Sequence, residues 1–315
     1  MYFKCLRIIY LISLLVVTSC SKQVNTCNNR IVLKTTGSSF LKSYSTYIVT
    51  TDGSGQVSCT LPQSLGDTPV WSPDRQWVAY STQFTSQSDT ESQIFAQSTV
   101  SGKRFQLTFE KDGAVTPVWS PDGRRIAYQM TNGIAVLDVN CLRKNETCEF
   151  KPTFLANGVD PHWSPDNNLI TYVYQGSTEG LEIRVIDVDQ PNFVTDITPS
   201  DVKFCKDPRW SPDGSTIAVG CSKENSHDIY LINWSTLQAT NITNSPGIFD
   251  TDPEWSPDGT QIVFVSDKDR DLGECLVDEC TLTSTSLYTM NVNGDHMTRI
   301  TFRSDEDIIW FSWIP

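Results

Sequence analysis

The chain has 315 residues, of which 38% are hydrophobic and 10% aromatic, with nine tryptophans; that is enough apolar mass for a packed core and too much for a disordered polypeptide. Its formal net charge of −13 sets it against the phosphate backbone of nucleic acid, so no nucleic-acid partner is expected.

In chain order, residues 1–19 form an export signal: Lys4 and Arg7, then an apolar run from Ile8 to Val17. The run is short for a bilayer span. Val17-Thr18-Ser19-Cys20 matches the box in which a bacterial Cys becomes the lipidated first residue of the mature protein. The predicted organisation is therefore a lipoprotein signal peptide over 1–19, a tether over 20–29 and one folded domain over 30–315. The expected location is extracytoplasmic and anchored by lipid at Cys20. Ser21 and Lys22 offer no aspartate of the inner-membrane retention type, which favours the outer membrane or a periplasm-facing surface.

The sequence holds ten Cys. With Cys5 lost in the signal and Cys20 lipidated, an even number remains, as suits disulfides in an oxidising compartment. Zinc is the rival use, but no CxxC occurs. Cys141 with Cys148 and Cys275 with Cys280 are short-range loop pairs. Cys205 and Cys221 flank a turn centred on residue 213 and face each other in a symmetric hairpin. Cys27 is left to pair with Cys59.

Three strand-like runs open the domain: Ile31 to Leu33, Tyr47 to Val49 and Val57 to Leu61. Then Trp-Ser-Pro-Asp occurs five times, led by Trp71, Trp119, Trp163, Trp210 and Trp255, at intervals of 44 to 48 residues. An interval of that length fits one four-stranded propeller blade. Each unit carries a Pro two residues before the Trp, the tetrapeptide, a short apolar strand such as Ile262-Val263-Phe264, and a third strand such as Ile229 to Ile232. A fourth ends in an apolar residue plus Thr, as in Leu107-Thr108 and Ile242-Thr243. The tetrapeptide is a turn: Pro fixes φ, Asp accepts from nearby amides and Gly supplies positive φ. Asn167 tolerates that conformation where Gly is missing, while Arg75 makes the first copy the least ideal. The Trp is expected to wedge between blades. After the last repeat, Ile308 to Ile314 forms one more strand. Joined to the three opening strands it makes a composite blade, so the predicted fold is an all-β, six-bladed β-propeller of four-stranded blades, closed by both termini.

Asp252-Pro253-Glu254-Trp255-Ser256-Pro257-Asp258-Gly259 and its counterpart Asp207 to Gly214 resemble the propeller repeat of the TolB family, periplasmic components of the Tol-Pal envelope system. The resemblance covers about residues 30 to 315. It implies a propeller that binds a protein partner through one of its faces.

An enzyme is the alternative. A serine peptidase needs a nucleophile elbow, and no G-x-S-x-G occurs. A carbohydrate-active lyase or hydrolase at the channel mouth would gather histidines around a metal, and only His162, His227 and His296 exist. Alternating loop faces put His296 opposite the other two. Asp267, Asp269 and Asp271 are spaced as in a calcium loop with Asp278 at the twelfth position, but Gly273 comes one place late and no helices flank it. Calcium is thus the one cofactor left open, and otherwise none is expected.

Acidic residues crowd the loops that enter the innermost strands. Asp160, Asp207, Asp252 and Asp307 each lie three residues before a Trp, and with His162 they are expected to converge at the channel mouth, where they would favour a cationic group. The function read from the sequence is a monomeric, lipid-anchored binding or scaffolding module with a protein partner in the cell envelope, touching the membrane only through its anchor.

Overall fold

The computed structural model describes residues 30–37, 44–50, 56–57, 67–83, 91–144, 147–177, 180–269, 285–301 and 306–314, with only the backbone for the first three stretches and most of the last. The predicted pairs Cys27–Cys59 and Cys275–Cys280, the anchor Cys20, Asp271 and Asp278 lie outside them.

The chain folds as an all-β propeller. The first blade comprises β4 (Asp67–Trp71), β5 (Trp77–Gln83), β6 (Ser92–Ser98) and β7 (Arg104–Gln106), and the second β8 (Ala114–Trp119), β9 (Arg125–Met130), β10 (Gly133–Asp138) and β11 (Thr153–Ala156). The third holds β12 (Val159–Trp163), β13 (Leu169–Ser177), β14 (Gly180–Asp187) and β15 (Val194–Asp196). The fourth holds β16 (Lys203–Trp210), β17 (Thr216–Lys223), β18 (Ser226–Asn233) and β19 (Ala239–Asn241); the fifth, β20 (Asp250–Trp255), β21 (Gln261–Ser266), β22 (Ser286–Asn291) and β23 (Thr298–Arg299). Each is a four-stranded antiparallel meander led by its tryptophan strand. The sequence predicts six blades; five are built in this way from consecutive strands. A further four-stranded sheet is composite, in the order β24-β1-β2-β3, from β1 (Arg30–Gly37), β2 (Tyr44–Thr50), β3 (Gln56–Val57) and β24 (Glu306–Ile314). It is described by backbone pairing, with β24 lying near β22 and β4.

The tetrapeptides are turns, as their chemistry requires. In all five the Ser hydroxyl donates to the Asp carboxylate: Ser72 to Asp74, Ser120 to Asp122, Ser164 to Asp166, Ser211 to Asp213 and Ser256 to Asp258. The same carboxylate accepts the amide two residues on, for example Thr260 N–H at 3.0 Å. The Ser oxygen accepts the amide that starts the next strand, as from Gln261 at 2.9 Å. The residue after the Asp is left-handed in every copy, at φ 68° to 73° for Gly123, Gly214 and Gly259, 67° for Asn167 and 58° for Arg75. Ionised carboxylates in these bonds have their pKa held down at Asp213 and Asp258, the Ser hydroxyl being the main cause.

The apolar-Thr pair that ends the repeat is a clasp. Thr108, Thr198, Thr243 and Thr301 accept through Oγ1 the amides of Ile94, Ile183, Ile229 and Leu287 at the start of the third strand's buried run. Between blades, Trp119, Trp163, Trp210 and Trp255 are buried. The indole N–H of Trp119 reaches Val70 O of the preceding blade, that of Trp163 reaches Val118 O and that of Trp255 reaches Arg209 O. The seams of Trp119, Trp163 and Trp255 thus join apolar burial to one hydrogen bond. A short helix, α1 (Asn140–Lys144), leaves the second blade at the turn end, where Arg143 bonds Asp122 O and pairs with Asp74 at 3.2 Å.

Both disulfides within the described residues form as predicted: Cys141–Cys148, and Cys205–Cys221 with its Cα atoms 4.1 Å apart. The second needs a correction of register. Trp210 pairs with Ile217 and Arg209 with Ala218, which would set Cys205 opposite Ser222. A bulge between Lys206 and Arg209 shifts the pairing to Lys206 with Gly220, and the two cysteines then meet.

Candidate functional site at the channel mouth

Successive connections of a meander alternate ends, so the Ser-Pro-Asp turns occupy one end of the propeller and the loops entering the inner strands occupy the other, here called the mouth. The inner strands bulge near the mouth in all five blades: between Asp67 and Val70, Val115 and Val118, Val159 and His162, Lys206 and Arg209, and Thr251 and Glu254. Within each bulge the residue three before the tryptophan is left-handed: Thr68 and Thr116 at φ 49°, Asp160 at 51°, Asp207 at 55° and Asp252 at 53°. Aspartate tolerates this conformation because its short polar chain bonds locally, whereas a β-branched Thr is strained by about 1–2 kcal/mol. The predicted acidic positions are therefore equivalent in geometry as well as in spacing. Asp307, in β24, is described by its backbone alone.

The residue just before each tryptophan forms a second tier: Val70, Val118, His162, Arg209 and Glu254. The channel is thereby two-sided, with Thr and Val from the first two blades facing Asp, His, Arg and Glu from the next three. Arg209 is the hub. Its Nε donates to Glu254 in the fifth blade at 2.9 Å, and its Nη1 lies 3.4 Å from Asp160 in the third. Burial opposes the guanidinium charge, and Asp160 and Glu254 more than offset it. Burial raises the Glu254 carboxyl against the pull of Arg209.

Asp207 has no such partner. Its Oδ2 is buried without a hydrogen bond, and the nearest cation is Lys206 Nζ at 3.7 Å. Burial, then the like charges of Asp252 and Asp160, push its pKa up to about 7. Asp252 accepts from Thr251 Oγ1 at 2.6 Å. His162 lies near Arg209 as a neutral ring: its Nδ1 accepts the amide of Trp210 at 3.3 Å, and burial, then Arg209, lowers its pKa to about 3. That seam is also the irregular one, since the Trp210 indole N–H is buried without an acceptor.

His227 is not the loop residue the sequence suggests. It lies in β18, 4% exposed, with Nδ1 2.8 Å from Asp250 O and its amide bonded to Ile248 O. Its ring packs on Gly220, where a Cβ would come within 2.6 Å of Cε1. Nε2 has no hydrogen-bond partner, and burial lowers the pKa. His296 stands at the other end, in the β22–β23 hairpin beside Asn291 Nδ2. The three histidines do not meet. Of the calcium candidates, Asp267 accepts the Phe249 amide at 2.8 Å, and Asp269 takes the Tyr288 hydroxyl and lies 3.5 Å from Arg299. Among the described residues no group of three His, Cys, Asp or Glu is arranged to hold a metal ion, and no helix is long and apolar enough to cross a membrane.

The rim of the mouth carries exposed apolar side chains. Phe109, Val159, Phe204 and Phe249 stand in or before the inner strands of four successive blades and are 75%, 40%, 48% and 52% exposed. Phe204 is itself left-handed at φ 49° and adjoins the Cys205 disulfide. The backbone of Phe249 is tied to Asp267 in both directions. Two aromatic rings are thus presented to solvent on firmly held backbone. Sequence reasoning missed Arg209, Glu254 and this rim. Aligning the repeats on their tryptophans would have revealed the first two, because Val, Val, His, Arg and Glu occupy one column.

Residues 156–312 match a family model described as the TolB beta propeller domain. No curated protein matches the chain in sequence. Among solved structures the chain is similar to TolB from Acinetobacter baumannii, at TM-score 0.67 and 18% identity over 90% of this chain, and it spans 66% of that protein. A TolB candidate from Agrobacterium tumefaciens gives TM-score 0.59 and 18% identity, covering 91% of this chain and 99% of that one. An oligogalacturonate lyase in complex with manganese gives 0.53 and 13%, covering 87% and 74%. At these identities the likeness is one of fold.

Proposed function

The chain belongs to the TolB-like β-propeller family, and on that premise we propose that it is a protein-binding module of the cell envelope that docks its partner at the channel mouth. In this reading the composite sheet serves as the sixth blade, Cys20 carries the lipid anchor, and the propeller faces the periplasm. The observation that carries the proposal is the joining of an exposed apolar rim to an acidic funnel on one face. Phe109, Val159, Phe204 and Phe249 supply desolvatable contact, and Asp160, Asp207 and Asp252 within it attract a cationic group. A small uncharged ligand would have no use for the rim.

The test is crosslinking followed by pull-down from envelope fractions, comparing wild type with Asp207→Asn/Asp252→Asn. The double variant should lose capture of the partner and flatten its salt dependence, since buried-rim charges steer association. Crosslinks that map to the Ser-Pro-Asp turns, with capture unchanged in the variant, would place the partner on the opposite face. A Cys20→Ser chain should leave the membrane fraction still folded, because a lipid tether lies outside the blades; firm membrane retention would refute the anchor.

A further inference from the structure

Three carboxylates and a fourth from Glu254 surround one guanidinium in the channel, and the arithmetic of charge is unfavourable. Arg209 serves Asp160 and Glu254, leaving Asp207 and Asp252 with Thr251 Oγ1 and the rim Lys206. The buried Asp207 Oδ2 meets no donor. A second, separate observation is His227, nine-tenths buried, whose Nε2 is also without a partner and which feels both Lys206 and Asp252. Of the remaining charges on strands packed against β16, Glu182 pairs with Arg184 on β14 and Lys223 with Asp201, while Asp250 on β20 is buried, its Oδ2 without a hydrogen bond and its carboxyl raised by burial. Tyr172 and Tyr174 on β13 face Arg184, and His162 on β12 stays neutral.

Asp207 stands among like charges with its Oδ2 unbonded and only Lys206 within ion-pair reach, a carboxylate that cannot ionise cheaply, and the remedy is a proton. We propose that binding at the mouth is proton-coupled: Asp207, set beside Asp160 and Asp252, keeps a proton while the channel is empty and releases it to solvent when a partner's ammonium or guanidinium group enters. This rests on the docking reading above and adds its regulation. The entering cation takes over the role of the proton, so the carboxylate ionises and the net charge in the funnel is conserved. The Asp207 pKa of about 7 places the exchange in the neutral range.

The experiment uses the full chain and a trilysine amide probe, titrated calorimetrically at pH 7 in phosphate and in Tris, whose ionisation enthalpies differ. About half a proton should leave per probe bound at pH 7, where a group titrating near 7 is half protonated, and affinity should fall about tenfold from pH 8 to pH 6, the linkage expected of that one group. Asp207→Asn should abolish both effects. Asp252→Asn, which removes a like charge, should move the release to lower pH. A carboxyl-carbon NMR titration of aspartate-labelled protein should show one resonance with a midpoint near neutrality, absent in Asp207→Asn. Equal affinity at pH 6 and pH 8 with no proton release would overturn the proton coupling and leave the docking site standing. No binding of trilysine at either pH would sink the docking of cations itself.

Discussion

The two ends of the inner strands obey opposite rules. At the turn end each Asp carboxylate accepts a Ser hydroxyl and a backbone amide, and the left-handed position falls to Gly or Asn in four copies of five. At the mouth the left-handed positions are Thr and Asp in all five, polar atoms of Thr68, Thr116 and Asp207 are buried without partners, and carboxylates outnumber cations. The same residue type is thus scaffold at one end and unsatisfied at the other. Satisfied groups hold a fold; strained and unsatisfied ones persist where something else is meant to complete them.

The largest expected break in this contrast is at the hub. Arg209→Met should cost about 3 kcal/mol at neutral pH, because it strands Asp160 and Glu254 in a partly desolvated channel; urea unfolding measures it, and a loss below that of a surface ion pair would show the hub to be dispensable. Next, Asp207→Asn should stabilise the protein by about 2 kcal/mol at pH 8 and by almost nothing near pH 4. The sign follows from a folded pKa above the unfolded value of 3.8. Between about pH 4 and pH 7 the native state keeps a proton that the unfolded chain releases, so wild-type stability drains away as pH rises, and the amide removes that loss. Thermal melts across that range test it, and parallel curves for the two proteins would contradict the unfavourable carboxylate.

At the turn end the sign reverses. Asp258→Ala should destabilise by about 1 kcal/mol, having lost acceptors for Ser256 and Thr260, with partner capture untouched. Impaired capture would make the turns part of the binding surface. The smallest effect is expected at Arg75, which holds φ 58°. Arg75→Gly should gain about 0.5–1 kcal/mol as the left-handed strain is relieved, a shift that differential calorimetry resolves.

The amino-acid sequence determined the parts of this protein that rest on local chemistry. Trp-Ser-Pro-Asp is a turn wherever it occurs, because its bonds run between residues two to five apart, and 44 to 48 residues of such strands make one blade. The apolar-Thr ending was legible by its recurrence, and the Cys141–Cys148 pair by its short span. Asp160, Asp207 and Asp252 were legible as a column, since spacing from a tryptophan survives any fold. What only the tertiary structure decided depends on contacts between blades. Arg209 joins residues in two other blades, 49 positions before it and 45 after. His227 became a seam residue because Gly220 leaves room for its ring. The Cys205–Cys221 pair itself was legible from the hairpin, and only the bulge at left-handed Asp207 that brings the two together was not. Desolvation and opposing charge act through space, and sequence distance carries no record of either.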